Sequence, residues 1–333
     1  MGGAAPSGAV SPYGLNPYPG TAPGVYTFGL NGPQPYKFGW TFRLDSAFIH
    51  DAGTNLGLGG DFGVDEFNLE DELVVPVWYN WVFSIAPQYN LRLFDGPFAR
   101  AVSLGDAYPA PGGALPAAPD LPSTAHRFGL GLKLQTPPIG IWTIEGGFNP
   151  ALATDFRSGI DSDAILYDGH LVAFGRLSPQ LMAAIGAAYW DRVDDLVIPY
   201  AGVVWTPSEY LEFRLLFPKP RVSLFIGTPF GLPTWAYVQG EYHVEAYQVG
   251  IRGPAAFDTS GNGIVTPGEL LAVGSTRVQL EDWRIVGGLY TEGPFWTAFL
   301  EAGIVLDREV TYKGPVRGFD PNEAFILRAG VRY

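Results

Sequence analysis

The sharpest local pattern of oxygen donors lies at residues 258–269, Asp-Thr-Ser-Gly-Asn-Gly-Ile-Val-Thr-Pro-Gly-Glu. Asp258, Ser260 and Asn262 occupy the first, third and fifth places of a twelve-position calcium loop, with Gly263 at the sixth, Ile264 offering its carbonyl, Thr266 near a water and Glu269 closing the loop with two oxygens. Calcium is a hard cation that collects six to eight oxygens, and this pattern predicts an EF-hand-like site. Only two carboxylates are available, so the expected affinity is weak. Gly253-Pro254 upstream and Pro267 inside the loop keep flanking helices short or absent.

A second constellation is dispersed. Arg43, Glu66, Glu70, Glu72, Arg92, Arg127, Lys133, Glu145, Asp168, His170, Arg176, Glu212, Arg214, Glu241, His243, Glu245, Asp282, Arg284, Glu301, Arg328 and Arg332 each sit on the polar parity of a segment whose other parity is apolar. Charges of both signs gathered on one surface select solutes when the surface lines a wide pore, or pair across strands and stiffen the interior when it does not. Of this set, Arg43, Arg92, Arg127, Lys133, Glu145, Asp168, His170, Arg214, Glu241, His243, Arg284, Glu301 and Arg328 are the expected selectivity residues.

Enzyme chemistry has little to stand on. The four histidines, His50, His126, His170 and His243, show no zinc-ligand spacing, and no Gly-X-Ser-X-Gly elbow is present. The acidic turn Asp191, Asp194 and Asp195 reads as solvated. No catalytic residue is expected. The net charge of -13, from 33 acidic against 20 basic residues, argues against a nucleic-acid partner. With no cysteine there is no disulfide, thiolate metal site or thiol nucleophile.

The elements that must carry these residues are strands. Glycine (44) and proline (30) exceed a fifth of the 333 residues and would break long helices. No run of about 18 apolar residues offers a helical membrane span. Residues 1–35, rich in Gly, Pro, Ala and Ser, read as an extended arm, and Met1 to Pro6 carries no secretory-signal pattern in this numbering. From residue 36 to 333 the dominant period is two. Phe38, Trp40, Phe42 and Leu44 oppose Lys37, Gly39, Thr41, Arg43 and Asp45; Phe128, Leu130, Leu132 and Leu134 oppose Arg127, Gly129, Gly131, Lys133 and Gln135.

Fourteen such segments (alternatively twelve) are predicted, at roughly 36–49, 62–76, 80–94, 124–136, 139–150, 163–177, 180–191, 196–206, 209–217, 221–228, 234–248, 277–290, 296–307 and 322–333. Connections after the even strands are tight. Those after the odd strands include every long one, such as Phe94 to Ser123 and Gly250 to Ser275. An even strand count, short turns at one end, long loops at the other and an apolar face on each strand predict an all-β fold, a transmembrane antiparallel up-and-down barrel with short periplasmic turns and long extracellular loops. Lipid offers backbone groups no partner, so a spanning sheet must close. Trp40, Trp78, Trp81, Trp190, Trp205, Trp235, Trp283 and Trp296 are the expected interface girdle.

Arg176-Leu177-Ser178-Pro179, Ala188-Tyr189-Trp190-Asp191-Arg192, Trp205-Thr206-Pro207, Leu215 to Arg221 and the ending Leu327 to Tyr333 resemble a family of bacterial outer-membrane barrels known as a domain of unknown function. The resemblance spans about Phe38 to Tyr333 and implies a barrel in the outer membrane, with no catalytic residues and no established substrate. Phe325, Leu327, Val331 and Tyr333 resemble the terminal signal by which the barrel-assembly machinery recognises its clients. The expectation is a porin-like passive channel for small solutes, with outer-membrane lipid and the assembly machinery as partners. One alternative is a plugged structural barrel whose long loops bind surface or periplasmic proteins. Another is a transporter of apolar ligands past the interior Phe174, Trp190, Phe225 and Phe299.

Overall fold

Alternation with period two forces each strand to present one apolar and one polar face, and only a closed sheet lets every strand keep both. The computed structural model describes residues 38–55, 61–96, 121–251, 274–293, 295–314 and 318–333, with the backbone of the short strands Tyr26–Gly29, Gly32–Pro35, Pro254–Ala256 and Leu270–Ala272. Fourteen strands form a single closed barrel. They are β1 Gly39–Gly53, β2 Asp61–Val77, β3 Trp81–Asp95, β4 Thr124–Gln135, β5 Trp142–Thr154, β6 Ile165–Ser178 and β7 Leu181–Trp190. The ring continues with β8 Leu196–Ser208, β9 Leu211–Leu216, β10 Arg221–Gly227, β11 Thr234–Val249, β12 Thr276–Glu292, β13 Thr297–Tyr312 and β14 Ala324–Arg332.

Each strand pairs antiparallel with the next in sequence, and β14 closes on β1 with Arg328 opposite Ala47 and Gly330 opposite Asp45. The last residue completes the seam: Tyr333 N donates to the Phe42 carbonyl at 2.8 Å, and Phe42 N donates to the Tyr333 carbonyl at 3.0 Å. The segment from Met182, whose apolar run also suits a helix, is strand β7, because pairing on both sides satisfies its backbone.

The two faces are inverted relative to a water-soluble barrel. Outward lie Trp40, Leu171, Ile185, Val238 and Leu300, each more than half exposed, while inward charges such as Glu66, Arg92, Glu145, Arg214 and Arg284 are buried. No aqueous fold leaves so continuous a belt of large apolar side chains uncovered, and a hydrocarbon surround explains it. The aromatic girdle holds for Trp40, Trp78, Trp205, Trp283 and Trp296, all exposed. Trp235 departs from it: its parity on β11 is that of Tyr237, Gln239 and Glu241, so it points inward and is buried.

Outward Ile285 lies between Trp283 and Leu289 on β12, within the apolar belt. Ile285→Arg should destabilise the barrel in phospholipid vesicles by about 1–2 kcal/mol in urea titration, between the cost of a guanidinium at the bilayer midplane and at its edge, while Ile285→Leu stays near the parent.

One sector of the wall is incomplete. β9 has six residues and β10 seven, against 13 in β8 and 16 in β11. β8 meets β9 only from Gly202 onward, and β10 meets β11 only up to Gln239. Gly202, at φ +148°, stands where β8 gains its second partner, and a Cβ there would fall 1.9 Å from the Leu215 carbonyl oxygen. Among the described residues, Leu196–Tyr200 of β8 has no strand on its β9 side, and Pro199 suits an edge because it has no N–H to leave unpaired. Across the gap, the end of β11 leaves the ring: Gln248 pairs in parallel with Thr154 of β5.

Candidate functional site: a central charged chamber

The polar faces converge on a cavity of about 430 Å³ in the middle of the barrel. Of the expected selectivity residues, Arg43, Arg92, Arg127, Lys133, Asp168, His170, Glu241, His243, Arg284 and Arg328 line it. Glu145 and Arg214 do not. Glu145 lies buried behind His170, whose Nε2 is 3.3 Å away, and Arg214 joins Arg221 on the shared carboxylate of Glu212, at 2.8 and 3.4 Å. Glu301 pairs with Arg328 beside a smaller cavity of about 50 Å³.

The charges are not held apart around an open bore. Arg92 of β3 donates from Nε to Glu245 of β11 at 2.8 Å, although β2, β1, β14, β13 and β12 separate those strands on the shorter way round. Arg284 of β12 reaches Glu66 of β2 at 2.7 Å and keeps Asp282 of its own strand at 2.7 Å. Glu241 accepts from Lys219 at 2.6 Å and from Arg328 at 3.2 Å. Chords of this kind cross the lumen. Other pairs run between neighbouring strands, among them Arg43–Glu70 at 3.2 Å, His243–Asp282 at 3.4 Å and Arg221–Glu212 at 3.4 Å.

Aromatic contacts flank the chamber on two sides. Toward the long loops, Phe94 of β3 meets Tyr247 of β11 edge-on at 6.4 Å and Phe62 at 6.0 Å, and Phe62 meets Phe319 at 5.5 Å. Toward the short turns, Trp235 stacks on Tyr290 at 6.0 Å, and the Arg221 guanidinium lies 5.4 Å from the Tyr237 ring and 5.5 Å from the Tyr290 ring. The sequence left both an open pore and a filled interior in view; among the described residues apolar side chains gather in the lumen at two levels, because the inward parity turns apolar near both strand ends. Phe174 is buried in a further cluster with Val172, Met182 and Tyr200, while Phe225 packs against Trp235.

Several lining residues escaped sequence reasoning. Lys219 sits in the Pro-Lys-Pro turn between β9 and β10, and Arg192 in the acidic turn read as solvated. That turn is only partly solvated. Asp194 and Asp195 are exposed, but Asp191 is held by Arg277 at 2.5 Å and Arg192 turns inward onto Asp168 at 2.7 Å. The amides Asn68, Gln88, Asn90 and Asn149 also line the chamber, and their polar parity within β2 to β5 was the available signal. The buried Oδ1 of Asn149 has no hydrogen-bond partner.

The oxygen donors Asp258, Ser260, Asn262, Ile264, Thr266 and Glu269 lie outside the described residues, as does most of the arm. Phe325, Leu327, Val331 and Tyr333 all face outward and are exposed.

No family model matches the chain, and no curated protein is similar to it at a significant level. Among solved structures it is similar to the toluene transporter TodX of Pseudomonas putida, with 10% identity over 89% of each chain and a TM-score of 0.37. The translocator domain of the autotransporter NalP from Neisseria meningitidis is 12% identical over 90% of this chain and 89% of that one, with a TM-score of 0.31. A mutant Rh. blastica porin is 10% identical over 89% and 99%, with a TM-score of 0.26. The likenesses are distant, and the barrel architecture is read from the strand register itself.

Proposed function

We propose that this chain is a bacterial outer-membrane transport barrel whose central chamber receives a small solute and is occluded at rest. The observation that carries this reading is the chamber itself: about 430 Å³, within the range of small-ligand sites, lined by ionic and amide groups and flanked by aromatic contacts on both sides. A purely structural barrel has no need of such a volume, and a passive pore has no need of cross-lumen ion pairs. The oxygen-rich loop at 258–269 belongs to the same proposal as a weak calcium site near the mouth.

The test uses the absence of cysteine. In Asn149→Cys, reconstituted in vesicles, a small cationic methanethiosulfonate reagent should modify the thiol slowly but to completion, as the chamber opens intermittently. Modification as fast as at an exposed cysteine would indicate an open pore. A thiol that never reacts would mark a solid, structural barrel. Either outcome overturns the reading.

A further inference from the structure

We propose that the chamber communicates sideways with the outer edge of the lipid belt, through the gap between β8 and β11, and that it accepts a single-chain anionic amphiphile by that route. This rests on the chamber being a solute site and names the class of solute. Packed apolar clusters lie in both axial directions, whereas the sector above the short β9–β10 hairpin lacks a continuous backbone ladder. The hairpin tip is tied to its neighbours by turn bonds, Phe217 N donating to the Ala201 carbonyl at 3.1 Å, Gly240 N to Pro220 at 2.9 Å and Tyr242 N to Pro218 at 3.1 Å, and by the Lys219–Glu241 ion pair at 2.6 Å. Beyond Tyr242, and before Gln248 pairs with Thr154, the β7–β8 turn bridges the sector: Arg192 Nε donates to the Val244 carbonyl at 3.2 Å and Val193 N to Gln279 Oε1 at 3.1 Å.

The chamber reaches this gap from within. Its lining includes Tyr200, Leu216 and Pro218 on one bank and Tyr242, Val244 and Ala246 on the other. Trp190 stands between the banks, its ring 6.2 Å from that of Tyr242 and nearly parallel to it. The height is that of the membrane edge. Leu215 and Leu224 on the hairpin face outward and are exposed, Tyr242 packs on the outward Trp283 at 4.9 Å, and the Tyr242 hydroxyl donates to Glu281 at 2.6 Å. Aromatic rings with a polar tip mark that boundary.

Charge selects the head group. Immediately inside the gap, one carboxylate serves two guanidinium groups: Asp168 accepts from Arg192 at 2.7 Å and from Arg127 at 3.4 Å. Among the described residues, Arg127 otherwise donates to the amide oxygens of Asn90 and Gln88, at 3.3 and 3.4 Å. The trio carries one positive charge in excess, and Arg192 lies 5.8 Å from the centre of the Trp190 ring. A carboxylate head placed there completes the pairing, while its alkyl chain follows Trp190 and Tyr242 out into lipid.

The test is carried out on the full chain in phosphatidylcholine vesicles, with bromine-labelled dodecanoate as the probe. Saturable quenching of tryptophan fluorescence, absent in Trp190→Phe and reversed by unlabelled dodecanoate but not by dodecyltrimethylammonium, is expected. Arg192→Gln should weaken binding about tenfold, the usual worth of one charge-assisted hydrogen bond. Because that substitution also removes a bond to the Val244 carbonyl, the competition on the unaltered chain stands independently. Equal competition by the cationic amphiphile, or quenching as strong in Trp190→Phe, overturns the inference. Dodecanoate should also protect Asn149→Cys from the thiol reagent. A thiol that reacts slowly without such protection defeats the amphiphile and leaves the chamber standing, whereas a thiol that never reacts defeats both.

Discussion

Removing both aromatic layers at once, with Phe94→Ala and Tyr247→Ala on the long-loop side of the chamber and Tyr237→Ala and Tyr290→Ala on the short-turn side, should turn a barrel that keeps a planar bilayer sealed into one that conducts ions steadily. The layers act in series, so the effects are not additive. The upper pair alone should stay near background, because Trp235, Tyr237 and Tyr290 still close the other end. The lower pair alone should likewise stay near background, because Phe94, Tyr247 and Phe62 still pack at the other end. Each ring removed from a packed layer costs about 3–5 kcal/mol, so unheated electrophoretic mobility must first show that the variants remain folded. A four-residue variant that folds and stays silent would place the barrier elsewhere. A parent chain that already conducts steadily would mean that the aromatic contacts do not seal the lumen.

The largest single loss of stability is expected at Arg284. Its guanidinium, buried in the barrel, is the common partner of Glu66 and Asp282, and its Nη2 lies 2.9 Å from His243 Nδ1. Arg284→Met keeps the side-chain length and leaves two buried carboxylates facing each other with less compensation, which costs about 3–5 kcal/mol for a pair broken from one side. Pairing it with Glu66→Gln and Asp282→Asn should recover most of that loss, since the penalty comes from the stranded charges and not from the missing contact. Urea titration of the reconstituted protein reads both steps. If Arg284→Met is as stable as the parent, water reaches the cluster freely and the lumen is wetter than its packing indicates.

These two expectations act on different parts of the interior, one on the aromatic contacts near the strand ends and the other on the ion pairs between them. Cross-lumen ion pairs hold strands that are distant round the ring, as Arg92 holds Glu245. Aromatic contacts such as Phe94 with Tyr247 fill the levels where the inward parity carries no charge. A carboxylate that takes up one of the two guanidinium groups sharing Asp168 would add an ion pair and leave no charge stranded.

Much of this was determined by the amino-acid sequence alone. Fourteen strands, their antiparallel order, the sorting of short and long connections and the outward set headed by Trp40, Ile285 and Leu300 all follow from period-two alternation and turn chemistry, which are local and survive any choice of partner. Inward parity likewise placed Arg43, Arg92, Asp168 and Arg284 on the lumen side. What alternation cannot say is how far across the lumen a side chain meets another, because that depends on the curvature of the ring and on strands far apart in sequence. Trp235 looked like a girdle residue and is buried; Arg192 looked like part of a wet turn and reaches the chamber. The closure of the lumen, the shortness of the β9–β10 wall and the two guanidinium groups on Asp168 were decided only when distant segments packed together, since each is a distance between residues that no local pattern connects.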